Sequence, residues 1–323
     1  MSELGIVAIG RNEGDRLQRC IASLPGDAAI VYVDSGSNDG SLQWAQATGI
    51  EVTSLDMQIG FTAARARNLG FRHLLKVKPN IQYVQFVDGD CELIHSWPRV
   101  AISYLEGHPE AAAVFGRRHE RFPDRSIYNW LCDLEWNTPI GEARAFGGDV
   151  MLRVSALQMG DGYRDELVAG EDPELSIRLR RAGWKLIRLD TSMTLHDAAI
   201  SRFTQWWRRN VRSGYAFALG AELHGSTPER HWVWESRRAW LWGFWLPIFC
   251  AAANFYLGAA GFLVWLVYPV QSVRLALRAK GSFHDRLAIG FFQTLSRFPE
   301  SWGQIKHLLD RSFGRRRTII EYK

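Results

Sequence analysis

The sequence predicts an α/β fold with a doubly wound, mostly parallel sheet. Three observations carry that prediction. Short apolar runs alternate with stretches of helical spacing from Leu4 to Val87. The last of these runs, ending Tyr83-Val84-Gln85-Phe86-Val87, is apolar almost throughout, as a strand buried on both faces must be. Polar residues stand just after three of the runs: Asn12-Glu13, Asp34, and Asp88 with Asp90. Open α/β sheets gather ligands at the carboxyl ends of their strands.

Each element has a local reason. Leu4–Gly10 is a short apolar strand. From Asn12 to Leu24, Leu17, Cys20, Ile21 and Leu24 recur at helical spacing until Pro25-Gly26 stops them. Ala29–Val33 is a second strand and runs into Asp34-Ser35-Gly36-Ser37-Asn38-Asp39-Gly40. A short helix over Ser41–Thr48 and a strand over Glu51–Leu55 follow. Phe61–Val77 reads as a helix ended by Lys78-Pro79-Asn80, and Ile81–Val87 as the next strand. Further on, Ala112–Gly116 and Lys185–Leu189 read as strands and Ile127–Trp136 as a helix. Gly147 to Leu152 reads as a loop entering a strand. Pro173–Ala182 is a helix with proline at its start and Gly183 beyond its end. Asp172 would then stand at its N-cap. Ser201–Leu223 is a long helix.

The 323 residues suffice for one large domain or two smaller ones. We divide them into a catalytic domain over residues 1–223 and a helical region over 224–323. Ten of the 14 tryptophans lie from Trp184 onward. From Arg274 to Lys323 the net charge is +7, so the rest of the chain is slightly acidic. A basic tail beside a Trp-rich apolar block points to an anionic membrane surface. No nucleic-acid motif is visible, so we expect no nucleic-acid partner. The Trp-rich region also offers a surface for a homodimer contact. Four scattered cysteines without a CxxC pair read as reduced and structural, hence cytosolic. The N-terminal MSELGIVAIG shows neither the basic nor the long apolar part of a signal peptide.

Ala239–Val273 contains no charged residue over 35 positions. One bilayer span needs about 20 residues, and two spans plus a turn need more than this segment has. Arginines flank both ends, which disfavours one span by the positive-inside rule. Pro247, Asn254, Gly258 and Gly261 interrupt it. We expect a re-entrant or interfacial hairpin over about 239–273, with a basic tail at Arg315-Arg316-Arg317, on a monotopic or peripheral protein. The competing reading is a Trp-rich core of a soluble helical domain. Phe283–Phe298 and Trp302–Phe313 read as amphipathic helices.

Asp88-Gly89-Asp90 puts two hard oxygen ligands on a tight turn, which suits Mg²⁺ or Mn²⁺ holding a diphosphate. Alone it reads more readily as a solvated turn. It does not stand alone. Arg11-Asn12-Glu13, Val33-Asp34-Ser35-Gly36-Ser37-Asn38-Asp39-Gly40-Ser41, Ala64-Arg65-Ala66-Arg67-Asn68-Leu69-Gly70, Asp88-Gly89-Asp90, Gly170-Glu171-Asp172-Pro173-Glu174-Leu175 and Gln205-Trp206-Trp207-Arg208-Arg209 follow in order. Each is weak alone, but the ordered set resembles a family 2 glycosyltransferase with a GT-A fold, over roughly Leu4 to Tyr215.

That resemblance implies a metal-dependent, inverting transfer of a sugar from a nucleotide-diphospho-sugar, UDP by family habit, to a hydroxyl. It implies Asp172 as general base. Glu13 and Asp34 would meet the nucleoside, and Arg67, Asn68, Asp88, Arg208 and Arg209 the donor. Asp90, with Asp88 and His196, would hold the metal. Gly148, Asp149, Glu171 and Trp207 would line the acceptor or sugar. Gln205 and Arg208 match the QxxRW element of processive synthases, but Arg209 replaces its tryptophan. With the apolar segment, the reading is a bacterial exopolysaccharide-type enzyme acting on a lipid-linked glycan at the cytoplasmic face of the inner membrane. The alternatives are a sugar-nucleotidyltransferase on a related fold and a non-catalytic sugar-nucleotide sensor or scaffold. The first of these lacks its Gly-rich, basic loop after Leu4–Gly10.

Overall fold

The computed structural model describes residues 3–314. The expected basic run Arg315-Arg316-Arg317 lies outside the described residues. Contacts divide the chain after Ser201 into two units.

The first unit is a mixed α/β layer built on one sheet. Its elements run β1 (Leu4–Gly10), α1 (Asp15–Ser23), β2 (Ala29–Asp34), α2 (Ser41–Ala47), β3 (Glu51–Ser54), α3 (Ala63–Val77) and β4 (Tyr83–Asp88). Then come β5 (Cys91–Leu93), α4 (Trp97–Gly107), β6 (Ala111–Glu120), α5 (Ile127–Trp136), β7 (Gly141–Glu142), β8 (Val150–Arg153), α6 (Val154–Met159), α7 (Glu171–Arg181) and β9 (Lys185–His196). The strand order is β3-β2-β1-β4-β8-β6-β9-β5, with β7 on β9. The first four strands in that order are parallel, as the alternation of apolar runs and helices predicts. From β8 onward antiparallel pairs enter: β8 runs against both β4 and β6, and β5 against β9.

Register sets the site. Gly10 at the end of β1 faces Asp34 on one side, and Ile9 faces Asp88 on the other. The two carboxylates therefore flank one strand end. Cys91 faces His196 across β5 and β9, which brings Asp90 beside the imidazole. The core is apolar and continuous, with Ile6, Val7, Val31, Val33, Val84 and Phe86 fully buried. Helix α3 lies close on this sheet because Gly70 has no side chain. A Cβ there would sit 2.4 Å from Val7 Cγ1 and 2.8 Å from Val33 Cγ2.

Three boundaries differ from the sequence expectation. β6 extends through Arg117, Arg118 and Glu120 instead of ending at Gly116, and β9 continues to His196. The two pair along this length with register shifts between Phe115 and Arg118, so the ladder absorbs irregular, charged residues. Helix α7 begins at Glu171, two residues before Pro173, with Gly170 at φ 82° as its N-cap. The first turn's amides lack intrahelical acceptors, so proline is tolerated anywhere within it.

The second unit is helical: α8 (Phe203–His224), α9 (Val233–Trp240), α10 (Leu246–Leu257), α11 (Val267–Arg278), α12 (Phe283–Leu295) and α13 (Arg297–Ser312). Gly214 and Gly303 let α8 and α13 cross closely. A Cβ at Gly214 would lie 1.9 Å from the Glu300 carbonyl, and one at Gly303 2.0 Å from that of Val211. Val233–Arg278 is a 46-residue helical stretch apolar and long enough to cross a membrane by length and composition. It is not straight. A π turn over Leu241–Trp245 precedes α10, Gly258 at φ 56° reverses the chain, and a 3₁₀ segment runs from Gly258 to Leu266. On the return, Gly261 comes against α10, where a Cβ would stand 2.4 Å from the Ala253 carbonyl. Tyr268 then donates to the carbonyl of Trp242 at 2.9 Å.

Candidate active site

The expected site residues of the first unit collect at one sheet edge around a single buried arginine. Thr62 caps α3 by accepting from Arg65 N–H at 3.1 Å. This fixes the start of the helix, and Arg67 and Asn68 project from its second turn. Arg67 is 2% exposed. Its Nη2 donates to Asp88 Oδ1 at 2.8 Å and its Nη1 to Glu171 Oε1 at 2.9 Å. Asp172 Oδ1 lies 3.5 Å from the same Nη1. One guanidinium thus joins the end of β4 to the start of α7. Gly148 leaves room for this: a Cβ would lie 2.6 Å from both Arg67 Nη2 and Asp88 Oδ2.

These groups shift one another's proton affinity. Burial pushes Asp88 up, but Arg67 and Arg118 outweigh it, and the carboxyl falls to about 2. Asp172 goes the other way. Burial, with the neighbouring charges of Glu171 and Asp88, pushes it up to about 7 against the pull of Arg67. Its Oδ1 is buried without a hydrogen-bond partner among the described residues. Asp172 is not the N-cap the sequence suggested, since Gly170 occupies that place and the helix has no side-chain cap.

Asp149 is buried and serves as a strut. It accepts the Asp88 amide hydrogen at 3.1 Å and the Thr194 hydroxyl hydrogen at 2.8 Å, and pairs with Arg118 at 2.9 Å. It therefore ties β4, β6 and β9 together behind the site. Asn68 is also spent locally. It donates to the Tyr163 carbonyl and to Asp165 Oδ1, both at 2.7 Å, and accepts from Tyr163 N–H at 2.9 Å. In this state it pins the loop after α6 and has no amide hydrogen left for a phosphate.

Asp34 is buried and builds its own turn. Oδ2 accepts from Gly36 and Ser37 N–H, each at 2.9 Å, and Oδ1 from the Tyr32 hydroxyl at 3.2 Å. Glu13, in the turn after β1, pairs with Arg16 at 2.9 Å. Trp207, Arg208 and Arg209 lie on α8, in the second unit. Trp206 is buried there against Phe292, with centroids 5.2 Å apart.

Asp90 and His196 form the candidate metal pair. Both are buried, with Nε2 3.0 Å from Asp90 Oδ2. Asp90, Cys91 and His196 each place a ligand atom within 4.8 Å of the others. Burial and the charge of Arg118 push His196 down to about 4, so its ring is neutral near pH 7. Its Nδ1 is buried without a partner among the described residues. A neutral imidazole beside a carboxylate fits a divalent cation such as Mn²⁺.

Sequence reasoning missed Arg118, Thr194, Cys91 and Tyr163, whose ring faces Arg67 at 5.5 Å. The run Arg117-Arg118-His119-Glu120 contains no turn residue, a signal that the strand continues through Arg118 though not that Arg118 is buried.

Residues 6–147 match the model described as Glycosyl transferase family 2. Over that stretch, somewhat less than half of the chain, the sequence is similar to this family. No curated protein matches the sequence. Among solved structures, the chain resembles a mannosyltransferase from Pyrobaculum calidifontis determined in complex with GDP-Man and Mn²⁺. The two are 16% identical, the match covers 96% of this chain and 88% of that one, and the TM-score is 0.64. At that identity the shared feature is the fold, which is of the GT-A type. A looser match, 13% identical with a TM-score of 0.49, is to S. aureus TarS 1–349, over 95% of this chain and 92% of that one.

Proposed function

We propose that this glycosyltransferase moves a sugar, with inversion, from a nucleotide-diphospho-sugar to an acceptor hydroxyl, with Asp172 as the general base. The observation that carries the reading is the state of Asp172. It is buried, caps nothing, and has its carboxyl pushed up to about 7. A base poised near the working pH transfers a proton most effectively. Asp172 takes the acceptor's hydroxyl proton as that oxygen forms a bond to the anomeric carbon. The bond to the diphosphate oxygen breaks, and the nucleoside diphosphate leaves with the electron pair. Attack from the face opposite the leaving group inverts the anomeric centre.

Asp90 and His196, with Asp88 beside them, are the residues that would hold Mg²⁺ or Mn²⁺. When bound, such a cation neutralises charge on the departing diphosphate. Arg67 orients Asp88, Glu171 and Asp172 toward one another. Glu13 and Asp34 receive the nucleoside, Asp34 mainly by shaping the loop that surrounds it. Gly148, Glu171 and Trp207 are proposed for the sugar side, and Arg208 and Arg209 as further cations for the diphosphate.

We assign the acceptor to a lipid-linked glycan at the cytoplasmic face of the plasma membrane, as in exopolysaccharide assembly. The apolar stretch Val233–Arg278 and the burial of the four cysteines support that location.

Asp172→Asn tests the reading. Turnover should fall by about 10²- to 10⁴-fold, with donor binding kept in a thermal-shift assay over UDP-, GDP- and dTDP-sugars with Mn²⁺. An unchanged rate would remove Asp172 as the base. NMR of the product's anomeric proton decides between inversion and retention.

A further inference from the structure

We propose that the hairpin from Trp242 to Tyr268 inserts into one leaflet of an anionic bilayer and returns to the side it entered from. The proposal deepens the membrane location given above and does not depend on the role of Asp172.

Four observations converge. The segment folds back on itself: Gly258 reverses it, Gly261 packs on Ala253, and the Tyr268 hydroxyl meets the Trp242 carbonyl. Both legs therefore leave from one level. The outgoing leg, Trp242 to Leu257, rises about 22 Å at about 1.5 Å per residue. A hydrocarbon core is about 30 Å thick, so the tip stops short of the far face.

The hairpin is apolar on all sides. Ile248, Phe249, Phe255 and Leu257 are spread around the α10 wheel, and all are exposed. Around the tip, exposure reaches 83% at Phe255, 80% at Tyr256 and 67% at Leu263. A second copy of the chain would cover one face of such a helix, whereas lipid covers every face.

The base of the hairpin is dressed for an interface. Trp242 and Trp265 lie 6.2 and 5.9 Å from the Tyr268 ring. Such amphipathic rings settle at headgroup level. Arg237 and Arg238 precede the hairpin, and Arg274, Arg278 and Lys280 follow it. Because the legs return to one level, these charges fall on the same side, where anionic headgroups attract them.

The test uses the full chain with phosphatidylcholine vesicles, with and without phosphatidylglycerol. Tyr256→Cys and Lys280→Cys carry an environment-sensitive fluorophore. We expect flotation with anionic vesicles that survives a carbonate wash. The label at 256 should shift to the blue and resist an aqueous quencher on either side of the vesicle. The label at 280 should be quenched from outside. Phe255→Asp with Leu263→Asp should lower flotation at least tenfold while leaving the donor thermal shift in place. Quenching at 256 from the vesicle interior would show a span and overturn the hairpin while leaving the membrane location standing. Release by carbonate, or a lipid-free homodimer that shields the label at 256, would overturn both. None of these outcomes bears on Asp172, whose test is turnover.

Discussion

Arg67 donates to Asp88 at 2.8 Å, from the second turn of α3 to the end of β4. The same guanidinium reaches the start of α7, so the charge of Asp172 depends on a residue more than a hundred positions earlier in the chain.

The pH profile should report this coupling. In the proposed role of base, Asp172 must be ionised, so kcat/KM should rise with pH through about 7 and then level. Glu171→Gln removes a neighbouring negative charge and should move that limb to lower pH. Arg67→Met removes the opposing positive charge and should move it higher. Stopped assays from pH 5 to 9 check both directions, and a limb that does not move in either variant would refute the coupling.

The same shift has a stability consequence. Asp172 binds its proton more tightly folded than unfolded, where its ordinary value is 3.8. Its contribution to stability is therefore present below about 4 and lost as pH rises through about 7. Asp172→Asn should melt higher than the parent at pH 8, with the difference vanishing near pH 4. Calorimetry at the two pH values measures it. The inactive variant would be the sturdier protein, as expected where a site is built against stability.

Two substitutions separate the site's frame from its chemistry. Gly70→Ala drives a methyl into Val7 and Val33, an overpacking that costs about 1–3 kcal/mol. Asp149→Ala leaves Arg118 buried without its nearest carboxylate, a loss of about 3–5 kcal/mol. Urea unfolding at pH 7.5 quantifies both, and a midpoint change below about 0.3 M for Asp149→Ala would contradict the strut role.

Gly148→Ala should act locally. The added methyl meets only the ends of Arg67 and Asp88, which are movable, so folding is kept. The pair is pushed apart, and kcat should fall by about tenfold or more, since misplacing a catalytic group by 1 Å can cost about 10²-fold. Unchanged kinetics in a stable variant would show that this pairing does not matter to turnover.

His196→Ala should weaken Mn²⁺ binding by tenfold or more, read by titration calorimetry with the metal alone. Cys91→Ser should leave that affinity within about threefold, because hard cations prefer oxygen and imidazole to sulfur.

Much of the sheet was legible because its strands announce themselves. Leu4–Gly10 and Ala29–Val33 are apolar runs ended by polar loops, and the structure keeps them nearly residue for residue. The gathering of Asp34 and Asp88 at one edge followed from that alternation alone. Four things were not legible. The start of α7 was placed at Pro173 because a proline marks a first turn without saying which residue of it. The burial of Arg118 was hidden, because a charged residue in sequence looks the same whether it faces water or a carboxylate. The work of Asn68 and Asp149 was hidden too, since their partners Tyr163, Asp165 and Thr194 are distant in the chain and belong to no motif. The fold-back at Gly258 was legible from its interruptions, but the Tyr268 contact that closes it was not.

Asp90 meets His196 only through the pairing of β5 with β9. During synthesis, Asp34 and Asp88 emerge from the ribosome before Glu171, Asp172 and His196. The stretch by which the family is recognised ends at residue 147, before all three. A nascent or truncated chain stopping there would contain Asp34 and Asp88 but neither Asp172 nor His196. On the proposed roles such a fragment would lack the base, so the order of residues along the chain would itself delay chemistry until the domain is whole.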